Sequence, residues 1–333
     1  MKTISIVAPC FNEEAVLPLL FSRLTAAAET WGMPFEVICV DDGSRDNTWK
    51  LLREQQSRDP RWRGIAFARH FGHQAAISAG LHHASGNAVV IIDADLQDPP
   101  EEVLRLVEKW REGYQVVYAV HTERKDGLMK RFLAWGFYRV MARAVPFTIP
   151  ADSGDFCLLD RRVVDTLNAM PERNKYLRGL RAWCGLRQIG VSVERQARAA
   201  GSPQYTLSKS FRLALDGIFS FSAIPLRVAS YLGAAVTALA LAGVIFTIFQ
   251  FIFRDYFTRI GLEPKPGLAI IIISILFLGG VQLIGLGILG EYLGRIYDEV
   301  KGRPHWIIQD SAGIEARTAP DRSSTIRSQP PSE

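Results

Sequence analysis

Residues 88–101 read AVVIIDADLQDPPE. Val89 to Ile92 are apolar; Asp93, Asp95, Gln97 and Asp98 follow at once, and Pro99 and Pro100 prevent the strand from continuing. A short apolar run closed by turn residues predicts a buried central strand. Its polar end puts carboxylates at the carboxyl edge of a sheet, where open α/β sheets bind their ligands. Asp93 and Asp95, two apart on a chain leaving its strand, can share a hard divalent cation through oxygen while a bound diphosphate supplies the remaining ligands. Alone, Asp-x-Asp reads more readily as a solvated turn. The surrounding pattern decides between the two.

Toward the amino terminus, residues 4–9 read as a strand, and Asn12-Glu13-Glu14 opens a helix whose Val16, Leu17, Leu20 and Leu24 recur at helical spacing. Residues 35–40 form a second strand ending in Asp41-Asp42-Gly43-Ser44, after which Asp46 or Asn47 caps a helix over 48–56. A strand over 64–68 and a helix over 74–84 complete the approach to the central run. Beyond it come a helix (101–111), a strand (116–120), a basic stretch (121–131) and an amphipathic helix (132–145). Ser153-Gly154-Asp155-Phe156 then leads into apolar Cys157 to Leu159, and 191–196 read as a further strand. Strands ending in polar clusters and joined by helices define a doubly wound, Rossmann-like α/β sheet. Its first turn, APCFNEE at 8–14, lacks the G-x-G-x-x-G of dinucleotide folds, which argues against nicotinamide and flavin chemistry.

Four histidines, His70, His73, His82 and His83, match no usual zinc spacing and have no thiolate among them. They read as satisfied or solvent-facing, with His70 and His73 in a loop bordering the site. Cys10, Cys39, Cys157 and Cys184 show no C-x-x-C spacing and read as free thiols in a reducing compartment.

The 333-residue chain has a formal charge of +5. Its basic residues are scattered among acidic clusters rather than gathered in one stripe, which argues against a nucleic-acid partner. An anionic membrane surface or a phosphorylated ligand suits the charge better. The amino-terminal apolar run is too short for a signal peptide, so the catalytic part is expected in the cytoplasm.

Two runs, 228–253 and 268–290, contain no charged residue. A bilayer core needs about 20 helical residues, so both are long enough to span it. Lys209, Arg212 and Arg227 precede the first run and Arg295, Lys301 and Arg303 follow the second, placing both termini on the cytoplasmic side. Gly279, Gly280, Gly285, Gly287 and Gly290 permit close helix packing, including in a homo-oligomer. Residues 208–222 combine Phe211, Leu215, Ile218 and Phe219 at helical spacing with Lys209, Arg212 and Asp216, the pattern of a helix lying in the headgroup plane. From Ser311 onward the Ser, Pro and Arg content reads as a disordered tail. The expected organisation is thus a catalytic domain (1–207), an interfacial helix (208–225), a two-span membrane part (226–295) and a cytoplasmic, partly disordered tail (296–333).

VAPCFNEE, VDDGSRDNT, ARHFGHQAAISAG, DADLQDPPE, SGDFCLLDRRVV and ALDGIFSFSAIPLR together resemble glycosyltransferase family 2, specifically its polyprenyl-phosphate glycosyltransferases. The likeness runs from about residue 4 to residue 303. It implies a GT-A fold, a mixed sheet, a nucleotide-sugar donor (UDP-glucose first, UDP-aminosugars and GDP-mannose behind it), an undecaprenyl phosphate acceptor, and residence as a multi-pass protein of a bacterial inner membrane. Carried onto this chain, Pro9, Phe11, Glu13 and Asp42 would surround the nucleoside, with Asp93 and Ala94 near the ribose and diphosphate. Asp95 and Gln97 would hold Mg2+ or Mn2+. Asp155 would be the catalytic carboxylate at the acceptor end, and Arg124, Arg198 and Lys209 would contact phosphates. Where relatives often carry an arginine this chain has His121, and where they often have Ser-Lys-Tyr it has Pro203-Gln204-Tyr205, so two fixed positive charges are missing. Two other readings compete. A processive polysaccharide synthase usually carries Q-x-x-R-W and more spans, against RGLRAW at 178–183 here; a non-catalytic nucleotide-binding membrane scaffold would not need the four acidic and amide groups together.

Overall fold

The computed structural model describes residues 2–121, 153–172, 175–194, 224–259 and 268–314. The expected helix over 132–145, the interfacial helix over 208–222, and Arg124, Arg198, Pro203, Gln204, Tyr205 and Lys209 lie outside those residues. Two compact units result: residues 1–220 together with 302–333, and residues 221–301.

Among the described residues, the first unit is built on one mixed sheet of eight strands. β1 (Ile4–Cys10), β2 (Phe35–Asp41), β3 (Trp62–Phe67) and β4 (Ala88–Ile91) run parallel, β1 lying between β4 and β2 and β2 between β1 and β3. Between them come α1 (Leu17–Glu29), α2 (Thr48–Arg58) and α3 (His73–His83). A 3-10 turn (Pro100–Glu102) leads into α4 (Val103–Arg111), followed by β5 (Val116–His121), β6 (Ser153–Asp160), α5 (Arg161–Ala169), α6 (Leu177–Trp183) and β7 (Gln188–Val193). β6 lies antiparallel between β4 and β5, and β7 pairs with β5 in parallel.

Every residue of β1 and β2 is buried, which accounts for their continuous rather than alternating apolar pattern. On one face, Ile4, Ile6 and Ala8 share a core with Leu17, Leu20 and Leu24 of α1. Each of those leucines contributes about 1.5–3 kcal/mol by leaving water. On the other face α3 lies so close to β1 that a Cβ at Gly80 would collide with Val7 Cγ1, which only glycine avoids. α1 starts at Leu17, later than the Asn12-Glu13-Glu14 opening expected, because those residues are held in a loop described below. Asp160 caps α5 by accepting from Arg162 N at 3.1 Å, worth about 1 kcal/mol.

The eighth strand, which follows the apolar helices in sequence, differs from expectation. β8 (Ile308–Ala312) pairs antiparallel with β3, with Ala312 opposite Gly64 and Asp310 opposite Ala66. Ser311 and Ala312 therefore belong to a sheet edge, not to the disordered tail that composition predicts. Trp306 is buried and stacks on Phe67 with ring centroids 6.4 Å apart, while Trp49 Nε1 donates to Asp310 Oδ2 at 3.1 Å. These partners are all remote in sequence, so a local reading of a polar pentapeptide had nothing to find.

The second unit contains α7 (Ile224–Ile252), α8 (Arg254–Arg259) and α9 (Leu268–Val300). Val228–Ile252 and Phe277–Val300 are long and apolar enough to cross a membrane by length and composition. α9 continues well past Gly290, where the uncharged run ends, and its added turns carry Glu291 and Arg295 as an i,i+4 pair at 3.0 Å. Phe257 of α8 packs edge-on against Phe246 and Phe249 of α7.

Candidate active site

The parallel strands bring three polar turns to one edge. After β1, Asn12 adopts a left-handed conformation (φ 56°), and its Oδ1 accepts from Arg45 N while its own N–H donates to Ser44 Oγ at 2.8 Å. Glu13 N donates to Thr48 Oγ1, and Glu14 N to Asp46 Oδ2. Asp46 Oδ1 also accepts from Thr48 N, so Asp46, rather than Asn47, caps the start of α2. The loops after β1 and β2 are thereby stitched into one platform that carries Pro9, Phe11 and Glu13. The Phe11 ring packs on His70 with centroids 4.5 Å apart.

Asp42 is buried and spends its carboxylate on the protein. It accepts from Phe71 N at 2.7 Å and from Gly72 N at 2.9 Å, and His70 Nδ1 lies 2.8 Å from Oδ2. Its role in this geometry is to hold the 70–72 loop against the platform. Gly43 makes that contact feasible: its φ is +73°, and a Cβ would stand 2.5 Å from the Arg69 carbonyl carbon. Gly43→Ala should lower stability by about 2 kcal/mol or more, since backbone cannot move aside as a flexible side chain would. Denaturant unfolding of the detergent-solubilised protein checks this.

At the end of β4 the chain bends through Leu96 (φ 58°), and Asp95 Oδ1 accepts from Gln97 N at 3.1 Å. Ala94 and Asp95 are buried beside Asp93, whose Oδ1 makes no hydrogen bond. Among the described residues, no three His, Cys, Asp or Glu gather into a cage able to hold a metal alone. Oxygen donors from Asp95 and Gln97, next to a carboxylate oxygen that makes no hydrogen bond, fit a hard divalent cation that draws its other ligands from a diphosphate.

Register brings Asp155 to the same place. Ile91 of β4 lies opposite Cys157 of antiparallel β6, and continuing that register two residues beyond the ladder puts Asp93 beside Asp155. Arg178, on the first turn of α6, donates Nε to Asp155 Oδ1 at 2.8 Å and Nη2 to Oδ2 at 3.1 Å. His73, the first residue of α3, places Nε2 3.4 Å from Asp155 Oδ2 and 3.6 Å from Asp93 Oδ1. Burial disfavours the Asp155 carboxylate, but the Arg178 charge and the His73 hydrogen bond outweigh it and hold the carboxyl well below its usual range. Burial likewise opposes the His73 imidazolium, yet its hydrogen bond to Asp155 and the Asp93 charge push the imidazole up to about 9. Burial raises Asp93, with the Asp155 and Asp95 charges adding to it.

The His73 shift gives a stability signature. Its folded-state value lies above that of a free imidazole, so its stabilisation is complete below about pH 6.5 and is lost as pH rises through about 9. Thermal unfolding from pH 6 to 10 should show that decline in the parent protein and a flatter profile in His73→Gln.

Sequence reasoning had no role for His73 beyond a loop at the border, and it met Arg178 as the start of RGLRAW at 178–183. Neither spacing nor residue type marks them; the pairing exists only because α3 and α6 both begin at Asp155.

A mixed sheet with this acidic carboxyl edge is a GT-A glycosyltransferase fold, and the chain belongs to glycosyl transferase family 2, whose profile matches residues 5–167. It is 45% identical to an uncharacterized glycosyltransferase of Synechocystis sp. over 94% of this chain and 96% of that one. It is 41% identical to the SfII prophage-derived bactoprenol glucosyl transferase of Shigella flexneri, over 92% of this chain and 98% of that one. Among solved structures, glucosyl-3-phosphoglycerate synthase of Mycobacterium tuberculosis superposes with a TM-score of 0.47 at 22% identity, covering 66% of this chain and 79% of that chain.

Proposed function

We propose that the protein transfers glucose from UDP-glucose to a polyprenyl phosphate of the undecaprenyl type, at a bacterial inner membrane, giving a lipid-linked monophosphate sugar for envelope glycans. The observation that carries this reading is the meeting of Asp93 with Asp155 under two cations, because it joins a donor end to an acceptor end in one cleft. The Shigella relative, named for glucose and bactoprenol, supports the choice of sugar and lipid. Pro9, Phe11 and Glu13 form the nucleoside platform, with Asp42 securing the loop beside it. Asp93 and Ala94 face the ribose and diphosphate, and Arg124, Arg198 and Lys209 are the proposed phosphate contacts.

Transfer breaks the bond from the anomeric carbon to the diphosphate oxygen, which keeps the electron pair; an oxygen of the lipid phosphate forms the new bond from the opposite face, inverting the centre. Asp95 and Gln97 would hold Mg2+ or Mn2+, which when bound neutralises charge on the departing diphosphate and is worth several kcal/mol. The acceptor is largely ionised near neutral pH, since a phosphate monoester has a second pKa of about 6, so a strong base is unnecessary. That suits Asp155, which is held ionised and is a poor proton acceptor. Its use is to orient the acceptor end and stabilise positive charge developing on the sugar.

Both flanks of the apolar helices fold into the same unit, because β8 follows α9 and joins β3. A chain that leaves and rejoins one domain must cross a bilayer an even number of times, in keeping with two spans and a cytoplasmic catalytic unit. The reading is tested by incubating purified protein with undecaprenyl phosphate, Mg2+ or Mn2+ and a panel of nucleotide sugars, then weighing the lipid product. A glucosylated lipid from UDP-glucose is expected. Metal-dependent nucleotide binding with no transfer would instead mark a scaffold.

A further inference from the structure

The geometry points to Trp306 as a positioning residue for the donor end: through Phe67 and Phe71 it holds the loop at 69–72 that backs the nucleoside platform. This rests on the platform's role in the function just described, and it brings to that site a residue from the far side of the apolar helices in sequence.

The loop has little local support. Ala68, Arg69 and His70 are exposed, and Phe71 and Gly72 are only half-buried. On one side Asp42 accepts from Phe71 N and Gly72 N and lies 2.8 Å from His70 Nδ1, while the His70 ring packs on Phe11 of the platform. On the other side stands the segment leading into β8. Ile307 O accepts from Ala68 N at 2.9 Å, one residue beyond the pairing of Phe67 with Ile308, so the ladder of β3 is carried up to the loop. The β3–β8 register shifts between Ala66 and Phe67, an irregularity of the kind that re-aims a strand end. The Trp306 ring lies at 14° to that of Phe67, with centroids 6.4 Å apart, and Phe67 meets Phe71 edge-on at 5.6 Å. Three rings thus run from the approach to β8 to the residue whose N–H Asp42 holds.

Trp306 supplies a flat ring here rather than a polar contact. It is 4% exposed and its Nε1 makes no hydrogen bond, whereas a buried indole N–H is ordinarily paired. Phenylalanine would keep an aromatic face without the unmatched donor; leucine would keep apolar bulk and lose the face. Trp62 is a matched control, since it too is buried with no hydrogen bond at Nε1 but starts the strand that ends at Phe67, away from the loop.

The test compares Trp306→Leu, Trp306→Phe, Phe71→Leu, the Trp306→Leu/Phe71→Leu double variant and Trp62→Leu as full-length protein in detergent. Each is assayed with UDP-glucose and undecaprenyl phosphate, and hydrogen exchange is followed at the Phe71 and Gly72 amides without nucleotide. In Trp306→Leu the KM for UDP-glucose should rise about tenfold with kcat nearly unchanged, and both amides should exchange about tenfold faster, the scale of one lost aromatic contact. Phe71→Leu should match it, the double variant should add little, and Trp306→Phe should stay near the parent. Trp62→Leu should melt lower yet keep the parent's KM and the parent's exchange at these amides. Phe71→Leu breaks the same ladder from its half-buried end and decides the matter where Trp306→Leu fails to fold. Parent-like KM and exchange in Trp306→Leu or Phe71→Leu, or an equal KM rise in Trp62→Leu, overturns the proposal. Faster exchange in Trp306→Leu beside a parent protein that does not use UDP-glucose would overturn the functional reading while supporting the loop's dependence on Trp306.

Discussion

Asp155→Asn should reduce sugar transfer about a thousandfold while the protein still binds its nucleotide and extracts with membranes. The carboxylate is the shared counter-charge of Arg178, at 2.8 and 3.1 Å, and of His73, at 3.4 Å. An amide has nearly the same shape but leaves both cations uncompensated in a partly buried place. Removing one partner of such a cluster costs about 3–5 kcal/mol, and each 1.36 kcal/mol that reaches the transition state is about tenfold in rate. Some of the cost will appear as a lower melting temperature, so a second variant separates stability from chemistry. Combining Asp155→Asn with Arg178→Gln removes one of the two uncompensated cations and should recover part of the stability without recovering turnover. Parent-like turnover in Asp155→Asn would take this residue out of the mechanism.

Asp95→Ala should cost about a hundredfold to a thousandfold in turnover, the scale expected when charge on a departing diphosphate loses its cation. Saturating Mn2+ or Mg2+ should not restore the rate. The side chain also accepts from Gln97 N, so about 1 kcal/mol of stability should go with it. Asp95→Asn keeps an acceptor for that bond and halves the formal charge of the Asp93–Asp95 pair; it should retain the turn and lose metal affinity. An alanine variant with parent turnover would mean that the cation, if used, is seated elsewhere.

How much of this was legible from the residues alone depends on the range of the interaction. The strand at 88–91 is announced locally, by an apolar run and a proline stop, and so are the polar ends of β1 and β2. The doubly wound core follows from them. Asp155 stood out through its likeness to a family, but its register with Asp93 is a property of two antiparallel strands that no local pattern reveals. Asp42 was assigned to the nucleoside by the family likeness alone, and the hydrogen bonds its oxygens accept from Phe71 and Gly72 are again contacts that no local pattern reveals. His73 and Arg178 were visible as residues but not as partners. β8 was missed because an edge strand need bury only one side and here is polar.

That last strand also orders events during synthesis. β3 has its outer edge open from the moment it is made until Asp310 reaches Ala66, and both apolar helices must leave the ribosome in between. An unguarded edge recruits other strands, including those of sister chains. Synthesis of both apolar helices therefore comes before closure of the sheet, and a chain stalled or cleaved ahead of Trp306 would leave β3 unsealed on a self-associating domain.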